Sequence, residues 1–259
     1  MTETILVAGA GHAAGQTIVS LRQGGYAGQL ILVGEERYLP YQRPPLSKKF
    51  LAGELDVPRL LVRQEQFYVD HRVDVRLSTR VTAIDRAART ATLSTGVSVP
   101  WNKLVIATGS RVRKVSLPGA QLAGVHYLRN IEDVDRIRDD FRPGAKLVIV
   151  GAGYIGLEVA AVAVMRGLDV TVVELADRVM ARGGAPLISD FFTRVHQQAG
   201  VKIRCNTGIQ SFNGVSRVQS VILSDGSEIP ADLVIVGIGI LPNVEIAEAA
   251  GLPCDNGIV

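Results

Sequence analysis

A chain of 259 residues, 47% of them apolar, is long enough for one large or two modest hydrophobic cores, which excludes intrinsic disorder. Twenty-eight basic residues against 25 acidic ones leave a net charge of only +3, so no positive field on the scale of a nucleic-acid binder is implied. The first apolar run starts at Ile5 and stops at Gly9, too short for a secretory core or a membrane span. The expectation is a cytoplasmic protein with neither nucleic acid nor membrane as a partner.

In chain order, Thr4–Ala8 predicts a strand, residues 13–24 a helix and residues 30–33 a second strand, followed by Gly34-Glu35-Glu36. A loop carrying Pro40, Pro44 and Pro45 comes next. Val73–Arg76, Val81–Asp85 and Thr90–Leu93 predict short strands around turns, and residues 104–107 a buried strand. The order of elements then begins again. Lys146–Val150 predicts a strand, residues 156–166 a helix, and residues 170–173 a strand closing on Glu174. Further strands are expected at 201–204, Val218–Leu223 and Leu233–Val236, and Gly257-Ile-Val259 reads as the start of another.

This recurrence extends to residue identities. Ile5-Leu-Val-Ala-Gly-Ala-Gly-His-Ala-Ala14 is echoed 142 residues later by Val148-Ile-Val-Gly-Ala-Gly-Tyr-Ile-Gly156. That interval is too long for a solenoid repeat and fits two dinucleotide-binding domains in one chain. In each fingerprint the first glycine (Gly9, Gly151) permits the tight turn. The second (Gly11, Gly153) lets the backbone approach a pyrophosphate, and a small third residue (Ala14, Gly156) lets helix and strand pack closely. The anion then sits on the helix N-terminus, where unpaired N–H groups and the dipole favour it. Glu35 follows 24 residues after Gly11, and Glu174 follows 21 after Gly153, each where a carboxylate can accept bonds from a ribose. An acid at the second site favours NADH over NADPH by repelling a 2′-phosphate; Arg178 and Arg182 close behind are the groups that could oppose it.

Four segments together resemble one family: Tyr41-Gln-Arg-Pro-Pro-Leu-Ser-Lys48, Ala107-Thr-Gly109, Gly151-Ala-Gly-Tyr-Ile-Gly-Leu-Glu158 and Gly237-Ile-Gly-Ile-Leu-Pro-Asn243. The family is that of bacterial NADH:ferredoxin reductases serving oxygenases and cytochromes P450, of the putidaredoxin and rubredoxin reductase type. The resemblance implies an α/β fold with two Rossmann-like domains of the glutathione-reductase type. It implies FAD on residues 1–110, NAD on 111–240, and a return towards the FAD domain at 241–259. It places the FAD pyrophosphate at Gly9, Gly11, Ala13 and Ala14 and the adenosine ribose at Glu35. Arg43, Val81, Thr108, Gly109 and Arg129 lie at or near the flavin cofactor, with Lys48 beside the flavin ring. NAD falls to Gly151, Gly153, Tyr154, Ile155, Gly156 and Glu174, with Glu158 at the nicotinamide end, paired with Lys48, and with Gly237 and Gly239 lining the approach. A lysine there would stabilise negative charge on the ring, and a carboxylate would hold the lysine in place.

Relative to the family, the second FAD motif and a C-terminal interface domain are missing from these 259 residues. Disulfide reductases of the same fold carry a redox-active cysteine pair shortly after the first βα unit, yet residues 36–60 contain no cysteine, which excludes dithiol chemistry there. Electrons would then pass singly from the flavin to a ferredoxin-type iron-sulfur protein. Cys205 and Cys254 form no paired motif, and His12, His71, His126 and His196 show no metal spacing, so no metal is expected. Two other readings share the motifs: a flavin NADH oxidase of this fold, and a non-catalytic, redox-signalling flavoprotein.

Overall fold

The computed structural model describes residues 3–259. The chain runs β1 (Thr4–Ala8), α1 (His12–Gln23), β2 (Gln29–Val33), a 3-10 turn (Pro44–Ser47), α2 (Val57–Leu60), α3 (Glu65–Asp70), β3 (Val73–Arg76), β4 (Val81–Asp85), β5 (Thr90–Leu93), β6 (Ser98–Pro100), β7 (Lys103–Ile106) and β8 (Ser110–Val112). It continues through β9 (Val125–Tyr127), α4 (Ile131–Asp140), β10 (Lys146–Val150), α5 (Tyr154–Met165), β11 (Asp169–Val173), α6 (Pro186–Gln198), β12 (Lys202–Arg204), β13 (Ile209–Gly214), β14 (Val218–Leu223), β15 (Glu228–Pro230), β16 (Leu233–Val236), β17 (Ile240–Pro242) and α7 (Glu245–Ala249). Two compact units result. One comprises the chain up to Arg43, Asp56–Arg111 and Leu241–Val259; the other comprises Pro44–Leu55 and Val112–Ile240. Among the described residues no helix is long and apolar enough to cross a membrane.

The first unit is built on a parallel sheet of order β3-β2-β1-β7. Ile5, Leu6, Val7 and Ala8 are all buried, as a central parallel strand covered on both faces requires. The alternation of the pleat then divides them. Leu6 and Ala8 join Ile31 and Val33 against Val81, Ala91, Leu93 and Val99 of the antiparallel layer β4-β5-β6. Ile5, Val7, Leu30 and Leu32 face Ala14 and Ile18 of α1 and Tyr68 of α3.

The second unit repeats the plan with a parallel sheet of order β12-β11-β10-β16-β9. One face, carrying Val148, Val150, Val173, Val234 and Val236, packs on Phe212, Val218, Val221 and Leu223 from the antiparallel layer β13-β14-β15. α4 starts with a capping box, in which the Asn130 and Asp133 side chains each accept from the other's backbone N–H, and buries Ile131, Val134 and Ile137. In α6 the usual partition is reversed. Leu187, Ile188, Phe191 and Val195 are exposed while Ser189 and His196 are buried, because both polar groups have partners. Ser189 Oγ donates to Val179 O, and the His196 ring nitrogens lie 2.8 Å from Phe192 O and 3.1 Å from Leu157 O.

All but one of the strands and helices expected from the sequence are present to within a few residues, and the α/β class with two βαβ units is borne out. The expected strand at Gly257–Val259 is not: Ile258 makes only an isolated antiparallel bridge to Cys254, and the segment's N–H groups serve a local turn, Asp255 N–H donating to Gly257 O and Val259 N–H to Pro253 O.

Candidate functional site

β1 delivers the chain into Gly9, whose φ of +114° is left-handed, and a Cβ there would lie 2.1 Å from Ala107 O. Only glycine meets both conditions. Gly11 caps α1 with no side-chain bond, and a Cβ on it would meet nothing within 4 Å, so open space faces the helix N-terminus. Ala13 is exposed in the first turn and Ala14 buried beneath it. Helix α1 also makes a close approach at Gly15, a residue the fingerprint does not single out: a Cβ there would fall 2.5 Å from Pro40 Cβ.

The second turn repeats this geometry with a φ of +104° at Gly151, whose Cβ would lie 2.5 Å from Gly237 O, and open space in front of Gly153, the uncapped N-cap of α5. Here the third small residue is critical, since a Cβ on Gly156 would lie 2.1 Å from Gly151 O. Gly156→Ala is expected to push α5 off its strand and destabilise the unit by about 1–3 kcal/mol, measured by chemical denaturation. An unchanged midpoint would show that the helix yields freely.

The two acids differ in placement. Glu174 directly follows β11 and is held at both oxygens, accepting from Ala152 N at 2.7 Å and Ala176 N at 2.8 Å, with lone pairs left for ribose hydroxyls. The residue directly following β2 is Gly34, where a Cβ would lie 2.3 Å from Ala10 Cβ; Glu35 comes one later, 72% exposed and 3.6 Å from Arg80. Arg178 turns inward, donating to Gly184 O at 2.8 Å, Ser189 Oγ at 2.7 Å and Ala181 O at 3.1 Å. It is thereby committed to its own loop, while Arg182 is exposed.

In the second unit, Lys48 Nζ lies 2.7 Å from Glu158 Oε1 and donates to Pro44 O at 3.0 Å. The other Glu158 oxygen accepts from Ser47 Oγ at 2.5 Å. Lys48 therefore belongs by its contacts with α5 and not with the first sheet. Ser47 is a polar residue that sequence reasoning passed over, although it stands inside the most specific motif.

The remaining expected site residues are distributed as follows. Arg43 pairs with Glu36 at 2.5 Å over the Tyr41 ring. Val81 is buried in the apolar cluster under β4. Thr108 Oγ1 donates to Asn243 O at 2.6 Å, and Asn243 N–H donates to Gly109 O at 2.9 Å, fixing that turn. Arg129 N–H donates to Asp133 Oδ2 at 2.8 Å beside the α4 cap. Tyr154 and Ile155 are exposed, with the Tyr154 ring against Gly183. Gly239 has a φ of +112° and accepts from Arg113 N–H at 2.9 Å. Cys205 and Cys254 are free thiols. Burial, and then the charges of Glu174 and Asp177, push the Cys205 thiol up from its usual value, which makes it a poor nucleophile.

Two parallel sheets, each opening with strand, uncapped glycine turn and helix, define a protein with two dinucleotide-binding units. The chain matches the pyridine nucleotide-disulphide oxidoreductase family over residues 3–259, and it belongs to that family. It is 43% identical over 257 residues to rhodocoxin reductase of Rhodococcus erythropolis, which covers 99% of this chain and 60% of that protein. A crystal structure of the ferredoxin reductase for the CYP199A2 system from Rhodopseudomonas palustris superposes with a TM-score of 0.95 at 45% identity, covering 99% of this chain and 63% of that one. The covalent putidaredoxin reductase–putidaredoxin complex gives a TM-score of 0.96 at 38% identity over 98% of this chain and 63% of that one. The chain spans about three-fifths of the length of these relatives. The resemblance seen in the R-P-P-L-S-K and glycine segments is borne out.

Proposed function

We propose that the first unit binds FAD and the second NADH, and that the protein is an NADH-dependent reductase passing single electrons to a ferredoxin-type iron-sulfur protein of an oxygenase or cytochrome P450 system. The observation that carries this reading is the pair of uncapped glycine turns with open space before Gly11 and Gly153, each able to hold a pyrophosphate on a helix N-terminus. The names of the relatives support the iron-sulfur acceptor. A cytoplasmic location accompanies it, since NADH is generated there.

Bound FAD and NADH would supply hydride transfer followed by release of electrons one at a time. The chain's own residues bind and orient. Gly9 and Gly151 make the turns, α1 and α5 present their first N–H groups to phosphate, and Glu35 and Glu174 accept from ribose hydroxyls. Lys48, held by Glu158 and the Pro44 carbonyl, supplies a fixed positive charge where negative charge grows during flavin reduction. Thr108 and Asn243 keep the Gly109 turn in one conformation.

The test is the visible spectrum of the protein reconstituted with FAD. A flavin band that bleaches on adding NADH, and that then reduces an added [2Fe–2S] ferredoxin faster than it reduces oxygen, is the expected result. A protein that takes up no flavin would sink the reading, and faster reduction of oxygen would turn it into an oxidase.

NADH is expected to exceed NADPH in kcat/KM by roughly 10-fold or more, because Glu174, fixed directly after β11 by Ala152 N–H and Ala176 N–H, would set a negative charge beside a 2′-phosphate. Arg178 cannot offset this while it serves its loop. Equal use of NADPH would instead assign the 2′-phosphate to Arg182.

A further inference from the structure

Lys48 and Glu158 form a half-exposed ion pair, with side chains 47% and 27% accessible. Such a pair contributes little, and holding a long lysine side chain in one geometry costs at least as much in rotamer entropy. The pair alone cannot hold the ammonium still. What is rigid nearby is the segment behind it. Pro44 and Pro45 restrict the backbone of the 3-10 turn, and Leu46, Phe50 and Leu51 are buried. Arg138 of α4 lies 4.1 Å from the centre of the Phe50 ring, and Arg166, at the end of α5, donates to Ala52 O. Ser47 sits on this anchored segment, 2% exposed, and its Oγ donates to Glu158 Oε2 at 2.5 Å.

We infer that Ser47 is the positioning residue of the pair: its buried hydroxyl fixes one oxygen of Glu158, so that the other is presented to Lys48 in a single orientation. The inference rests on the reading of Lys48 as the charge beside the flavin. A charge-assisted bond from a short, buried hydroxyl is the strong contact of the three, and it needs only one side-chain rotor to be fixed. With one carboxylate oxygen pinned, the carboxylate plane is set. Lys48 Nζ then has two fixed acceptors, Glu158 Oε1 and Pro44 O, which define its place. Removing the hydroxyl leaves the charges intact and lets the carboxylate rotate. The effect should fall on chemistry more than on binding.

The experiment compares the parent chain with Ser47→Ala, Ser47→Thr and Glu158→Gln. NMR relaxation of [13C]lysine Cε reports Lys48 order, with exposed Lys49 as the internal reference for a free side chain. In Ser47→Ala, Lys48 is expected to become as mobile as Lys49, as it does in Glu158→Gln, while Ser47→Thr, which keeps the hydroxyl, retains its order. In single turnover, flavin reduction in Ser47→Ala should slow on the order of 10-fold with the Kd for NADH within about twofold. Thermal melting of each variant establishes that the fold persists. Lys48 remaining ordered in Ser47→Ala overturns the inference, as does loss of its order in Ser47→Thr at an unchanged melting temperature. Mobilised Lys48 with an unchanged rate of flavin reduction upholds the positioning role and instead refutes the placement of Lys48 beside the flavin.

Discussion

Lys48→Met is expected to retain FAD and to slow flavin reduction by NADH by about 10²-fold or more, the effect of removing one preorganised electrostatic stabiliser. Retention follows from separation of parts: the glycine turn at Gly9 to Ala14 makes no use of Lys48, whose bonds are to Glu158 and to the Pro44 carbonyl. The fold should barely respond, since a half-exposed ion pair adds little stability. Glu158→Gln keeps the shape and one acceptor oxygen, so a smaller loss is expected, appearing as displaced nicotinamide and a looser lysine. Mixing the FAD-loaded protein with NADH in a stopped-flow instrument and following the flavin band measures the step directly. If Lys48→Met reduced its flavin at the parent rate, Lys48 would be an ordinary surface residue and the role drawn from R-P-P-L-S-K would fail.

Valine at Gly11 is expected to abolish FAD retention, and valine at Gly153 to spare the flavin and block its reduction by NADH. The structure separates this from misfolding. Gly11 has φ −82° and ψ −170°, and Gly153 φ −81° and ψ −172°, extended values that valine adopts readily, and a Cβ at either meets no protein atom within 4 Å. The added carbons enter only the space proposed for the pyrophosphate. Loss of a glycine N-cap costs stability on the order of 1 kcal/mol, which a denaturation curve would register without loss of the native state. Gly9→Ala is the contrasting case, since its methyl would meet Ala107 O at 2.1 Å from a backbone with φ of +114°. It should destabilise the unit before any cofactor is considered. Flavin content after gel filtration, and bleaching by NADH, read the outcome. A colourless Gly153→Val beside a yellow Gly11→Val would reverse the order of the two sites.

The two βαβ units were legible in the chain because their signals are local: apolar strands of the length a parallel sheet needs, and glycines at the spacing that a strand–turn–helix imposes. Gly9, Gly11, Gly151, Gly153 and Gly156 could be named from spacing, as could Glu174, one residue past a strand whose apolar run ends at Val173. The short helices and α6 leave no such local signal. α6 exposes Leu187, Phe191 and Val195 and buries Ser189 and His196, so its periodicity does not mark its inner face. α4 carries a local sign of its own, the Asn130–Asp133 capping box around buried Ile131, Val134 and Ile137.

Apart from the Lys48–Glu158 pair, which the family resemblance implied, tertiary structure decided which groups meet across long stretches of chain. Nothing in sequence separation tells that Ser47 reaches Glu158, 111 residues away, or that residues 44–55 pack with α5 in place of the sheet they follow. The same holds for Arg178, which reads as a free cation and is instead consumed by Gly184, Ser189 and Ala181. Backbone pattern is written in neighbouring residues, so it could be read from them. The partner of a buried hydroxyl or a guanidinium is chosen by whichever acceptor the folded chain brings within 3 Å or so, and that depends on the packing of the whole unit.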